Sequence, residues 1–183
     1  MQAFEQRTPD IVKSIQQRWL LGQWKRLRNG CVLPLAADFD LKTAESCRDD
    51  LTVLDVLPHN GAHQFRIVDH GKNVGAMYAG QCAGRLLEET LPEVARAPTL
   101  ETYEHVVRTA LPVYTVSKIS DAQARPVQYE RLLLPVGSRD GKVVRIFALL
   151  ETISSEGTIE RKSLLTDPRT TRQYVVKAEL RVG

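Results

Sequence analysis

The stretch Tyr129–Ile153, YERLLLPVGSRDGKVVRIFALLETI, decides the fold class. Two runs rich in Leu, Val, Ile and Phe flank Ser138-Arg139-Asp140-Gly141, a polar cluster whose closing Asp-Gly lets the backbone reverse. A β-hairpin is expected. In its first arm Arg131, Leu133 and Pro135 share one face, and Leu132, Leu134 and Val136 share the other. Both faces are largely apolar, so the arm should be covered on each side. A lone hairpin is marginal in water, and further elements must complete it.

Upstream of the hairpin, Val113–Ser120 (VYTVSKIS) alternates as a strand. Before it, Thr99–Ala110 (TLETYEHVVRTA) reads as a helix that Pro112 ends, with Leu100, Tyr103, Val106, Val107 and Ala110 on one side. The region Gly71–Pro98 is broken by glycines and prolines and suggests short helices and turns crossing a surface. Gly71, Gly75, Gly80 and Gly84 lack the Gly-Lys-Ser/Thr ending of a phosphate loop and do not open a dinucleotide fingerprint. Leu51–Val56 and His63–Asp69 are strands joined by the turn Pro58-His59-Asn60-Gly61. Asp38 and Asp40 precede a short polar helix from about residue 40, and a cap plus a turn explains them better than a metal site.

At the amino terminus, Thr8–Asn29 reads as an amphipathic helix capped by Thr8, with Pro9 in its first turn and Gly30 as its stop. Ile11, Ile15, Trp19, Leu20, Trp24 and Leu27 form its apolar stripe. Such a stripe packs either on its own domain or on the same helix of a second copy, with Leu20 and Trp24 at the seam of a homodimer. The last 30 residues are more polar and end in an alternating run, Gln173–Val182, expected as one edge strand. The expected division is a flanking helix (1–30), a central domain (31–153) and a carboxy-terminal extension (154–183). Five strands with the helices inserted between the second and third make an α+β fold. Its antiparallel sheet should carry those helices on one face, with a hollow between.

The 183 residues, 43% apolar and 26% charged, suit one domain with a real core. No apolar run is long enough to span a membrane and no secretory signal is seen, so a cytoplasmic location is expected. Cys31, Cys47 and Cys82 have no CxxC pairing, which argues against a disulfide framework or a cysteine metal site. The net charge of +3 is divided: +4 over residues 1–30, −3 over 31–153 and +2 over 154–183. Charges this dispersed form a solvated face, and a nucleic-acid partner is not expected.

Along the chain stand Trp24-Lys25-Arg26-Leu27-Arg28-Asn29-Gly30, Leu33-Pro34, Asp38-Phe39-Asp40, Leu54-Asp55-Val56, Phe65-Arg66-Ile67-Val68, Gly84-Arg85, and Leu132-Leu133-Leu134-Pro135 with Asp140-Gly141. With these stretches the order of elements resembles that of PAS domains, and the wording is similar to a bacterial single-domain PAS group. Where that group often has Gly-Thr after the arginine-bearing strand, this chain has Asp69-His70-Gly71. The resemblance implies a sensory or protein-interaction module rather than an enzyme, with a hollow for a small ligand and no assigned cofactor. The candidate ligand contacts are Arg66, Tyr78, Tyr103, His105, Tyr114, Arg131 and Phe147, with Phe65 and Met77 filling or lining the same hollow.

His105 stands where haem-binding PAS domains carry their iron ligand, though a lone helical histidine is more often an exposed or hydrogen-bonded one. Cys82 lacks the Asn-Cys-Arg context of the light-sensing class. Arg66, Arg85, Arg131 and Arg145 are candidates for an acidic ligand, because the first, third and fourth sit on expected strands where a buried charge must find a partner; arginines on the wet face of the sheet, or paired with Glu130 and Asp69, are the plainer reading. No Gly-x-Ser-x-Gly or His-Glu-x-x-His motif is present. Arg161-Lys162 and Arg169/Arg172 fit a solvated tail. The alternative to a ligand sensor is a constitutive dimeric adaptor with a filled core, and either would act through an unknown signalling protein.

Overall fold

The computed structural model describes residues 3–78, 80–120, 125–154, 161–167 and 173–182. Its strands are β1 (Glu5–Arg7), β2 (Leu51–His59), β3 (Ala62–His70), β4 (Val113–Ser120), β5 (Pro126–Gly137), β6 (Val143–Ser154) and β7 (Gln173–Leu180). Its helices are α1 (Ile15–Arg28), α2 (Lys72–Met77), α3 (Leu87–Thr90) and α4 (Glu93–Thr109). The seven strands make one sheet in the order β1-β7-β4-β5-β6-β2-β3.

The five central strands pair antiparallel throughout, and β7 joins them antiparallel to β4. The expected five-stranded antiparallel sheet is therefore corrected to a mixed sheet of seven. The two flanks of the chain add β7 and β1, and β1 runs parallel to β7. The run 173–182 is likewise not an edge: β1 covers residues 178–180 on one side and β4 lies on the other. A local alternation reports the two faces of a strand but not whether its hydrogen-bonding edges are occupied.

Helices cover both surfaces of the sheet. Side chains alternate along β5, so Glu130 and Arg131 point to opposite sides. Arg131 lies beneath the ring of Tyr103 on α4. On the other side Glu130 accepts from Tyr114 and is the register partner of Glu151, which accepts from Ser14 at the start of α1. The intervening helix α4 thus packs on one face, as expected, and α1 takes the other.

The first helix starts later than its pattern suggests. Pro9–Ile11 form a separate 3₁₀ turn, and Ser14, not Thr8, caps α1 by accepting from the Gln17 amide at 3.3 Å. Asn29 and Gly30, both at positive φ, end it. Its stripe belongs to the core. Leu20 and Trp24 are 0% exposed, and the Trp24 indole N–H donates to the Pro135 carbonyl at 2.6 Å. This corrects the placement of Leu20 and Trp24 at a dimer seam, since buried side chains of one chain have no surface left for a second.

The long helix begins six residues early, at Glu93, with Pro98 inside it. Pro98 removes only the bond to the carbonyl of Val94, an exposed residue near the helix start, so the helix survives it. Gly71 joins β3 to α2 at a point where an added Cβ would lie 2.0 Å from the Arg48 carbonyl oxygen. No side chain fits there, which explains the glycine without a phosphate. Asp40 does cap a turn, accepting from the Thr43 amide at 3.0 Å.

Candidate functional site

The strand β5 carries a charge into the interior. Arg131 is 1% exposed, and its neighbours on the α4-facing side follow from register. Thr115 lies opposite it on β4 and Lys177 lies beyond on β7. One pair further along, Tyr129 faces Ser117, with Tyr174 beyond a bulge. The guanidinium carbon is 5.3 Å from the ring centre of Tyr103 and 5.9 Å from that of Tyr129. Its Nη2 donates to the Tyr174 hydroxyl at 3.3 Å. Phe65 closes the far side against Tyr103, ring centres 5.2 Å apart.

This floor is buried and polar. Thr115 and Ser117 are 0% exposed, and the Thr115 Oγ1, Ser117 Oγ and Arg131 Nε atoms have no hydrogen-bond partner among the described residues. Each such group costs about 1–3 kcal/mol if left unmatched. Burial opposes the charge of Arg131, but Tyr129, Tyr103, Tyr174 and Tyr78 more than offset it and its pKa lies above the usual range. Burial pushes the Tyr103 phenol up to about 12, so it stays neutral at pH 7.

The structure divides the residues expected at a ligand. Tyr78, Tyr103 and Arg131 come together. Tyr114 and Phe147 are corrected to the opposite face: Tyr114 donates to Glu130 at 2.7 Å, and Phe147 packs edge-on against Phe39 under α1. Arg66 is exposed and pairs with Asp55, which also takes Arg145 at 2.7 Å. The expected partners are not theirs: Asp69 takes Arg48, and Glu130 accepts from Tyr114 and Gln128. Arg169 and Arg172 lie outside the described residues. Tyr129, Thr115, Ser117 and Tyr174 were not expected. Alternation along β5 marks Tyr129 as facing with Arg131; Thr115 and Ser117 join them only through the β4–β5 register, and Tyr174 sits on a strand added from the distant tail.

His105 lies in a separate cluster near the β1 edge. Its Nδ1 accepts from Arg108 at 2.8 Å, its Nε2–H donates to Glu179 at 3.0 Å, and Phe4 stacks on the ring at 3.7 Å. Both ring nitrogens are engaged, which corrects the reading of His105 as a ligand contact or an iron ligand. Burial lowers its pKa, with Arg108 and Lys177 adding to the effect and Glu179 opposing it. The unfolded chain therefore takes up the proton more readily. Stability present above pH of about 6.5 should be lost as pH falls toward the depressed folded value. Urea midpoints measured between pH 7.5 and 5.5 should decline, and His105→Gln should flatten that decline; a midpoint independent of pH would contradict it.

Among the described residues no group of three or more His, Cys, Asp or Glu is placed to hold a metal, and no helix is long and apolar enough to cross a membrane. A sequence model of the PAS domain matches residues 12–151, which take in the antiparallel centre of the sheet and α4 over one of its faces. The chain belongs to the PAS domain family. The match takes in α1 as well as the central strands, so in this PAS domain the first helix is part of the matched unit. Among solved structures, a light-oxygen-voltage domain studied with a flavin analogue is similar at 15% identity. That likeness has a TM-score of 0.46 and covers 66% of this chain and 90% of the other. No curated protein matches the sequence.

The Trp24-to-Pro34 motif proves to be scaffold. Arg28 lies over the Trp24 ring at 5.8 Å, and the Pro34 carbonyl accepts from the Gly137 amide at 2.9 Å. Together with the bond from Trp24 to Pro135, these contacts fasten both ends of the motif to the end of β5.

Proposed function

We propose that this PAS domain is a cytoplasmic sensory module that binds a small polar molecule on the β4-β5-β7 floor beneath α4 and performs no chemistry on it. The observation that carries the reading is the set of unmatched polar atoms on Thr115, Ser117 and Arg131, buried side by side on neighbouring strands. An adaptor with a filled, apolar core has no use for them. Membership of the PAS family supports a signalling role.

The route outward is short. Glu130, next to Arg131 in β5, belongs to the opposite face, where its register partner Glu151 holds the capping Ser14 of α1 at 2.9 Å. A shift of β5 on binding would therefore be felt at the start of α1. The outer side of that helix exposes Ile15 (77%) and Trp19 (40%), and it is offered to a second copy or a signalling chain.

Native mass spectrometry of the freshly purified chain, with a thermal-shift screen of small polar compounds, tests the reading. A ligand at a hundred times its Kd should raise Tm by roughly 5–10 °C. No added mass and no shift from any compound class would refute it.

A further inference from the structure

The buried floor also has a sign. Lys177, 2.8 Å from Glu101, is compensated, and His105 is held by Glu179. Glu130 belongs to the other face of the sheet and accepts there from Tyr114 and Gln128. What remains is Arg131, whose neighbours on this side are phenols and aliphatic alcohols; no carboxylate of the described residues lies within ion-pair distance of it. A buried guanidinium ordinarily has a carboxylate or phosphate facing its fork.

Resting on the reading that the floor binds a small molecule, we propose that its ligand is a small organic monocarboxylate. The carboxylate would take the free Nε–H of Arg131, and the Thr115 and Ser117 hydroxyls would donate to the same group. Two observations favour this class. The unmatched atoms comprise one cationic N–H donor and two hydroxyls able to donate, so they ask for acceptors. The uncompensated charge is a single one, and a dianion such as phosphate would bury a second charge with no partner. The rings of Tyr103 and Tyr129 lie near the guanidinium, and its buried Nε is left without a partner among the described residues. They would bound the ligand on its apolar side.

The test compares acids with their neutral amides on the full chain, by thermal shift at matched ionic strength: acetate, pyruvate and benzoate against acetamide, pyruvamide and benzamide, with inorganic phosphate as a third arm. At least one carboxylate should raise Tm by roughly 5–10 °C at a hundredfold excess over its Kd, while its amide gives no measurable shift. Arg131→Met should abolish the response. Should that variant fail to fold by circular dichroism, Thr115→Val combined with Ser117→Ala should weaken carboxylate binding roughly tenfold or more.

Equal shifts from acid and amide would leave the proposed binding floor standing and overturn the carboxylate. A larger shift from phosphate, or an acid-induced shift that survives both sets of substitutions, would also overturn it. So would silence from all six compounds and phosphate while the broader screen finds a neutral ligand.

Discussion

Trp24→Ala should destabilise the chain by about 3–5 kcal/mol, the usual loss for a large buried side chain. Trp24 is 0% exposed and its indole N–H reaches the Pro135 carbonyl at 2.6 Å. Truncation removes the packing between α1 and β5, opens a cavity and leaves the carbonyl without its donor. In thermal unfolding the expected fall in Tm is roughly 6–20 °C for a chain of this size. Trp24→Phe, which keeps an aromatic ring and loses the donor, should fall between the variant and the parent.

The same experiment separates core from interface. Sedimentation of Trp24→Ala below its melting temperature should give the particle mass of the parent chain. A halved mass with unchanged unfolding would mean that the indole faces a second copy, contrary to its burial here.

Glu101→Gln should cost about 2–3 kcal/mol, less than the full loss for a deeply buried pair because the Glu101 side chain is 33% exposed. Its partner Lys177 is the reason for the cost: the ammonium side chain is 2% exposed and 2.8 Å from the carboxylate. Neutralising Glu101 leaves a charge in the interior that faces the Phe4 ring at 4.3 Å and the Tyr174 ring at 5.4 Å. Adding Lys177→Met should recover most of the loss, since replacing both members by uncharged groups removes the desolvation penalty along with the attraction. Urea denaturation of the two single variants and the double variant measures this. Glu101→Gln as stable as the parent would show that the pair contributes nothing.

These two sites differ in how visible they are in the sequence. Trp24 sits in a helical stripe whose spacing is local, so its apolar side could be read directly; that the stripe faces the sheet of its own chain could not. Lys177 and Glu101 are 76 residues apart, and their meeting depends on β7 pairing beside β4 under α4. Tyr114 and Phe147 went to the wrong face for the same reason. Parity along a strand says which residues share a side, and nothing local says which layer covers that side.

The sequence by itself determined the two hairpins, the helical stripe of α1 and the company Arg131 keeps along its own strand, because these depend on periods of two and 3.6 residues and on turn chemistry. Only the tertiary structure decided that α1 and α4 take opposite faces, that the chain's two flanks extend the sheet, and that Arg131 is enclosed among tyrosines. Those outcomes depend on contacts between distant segments competing for the same apolar surface, and local spacing carries no record of which segment wins.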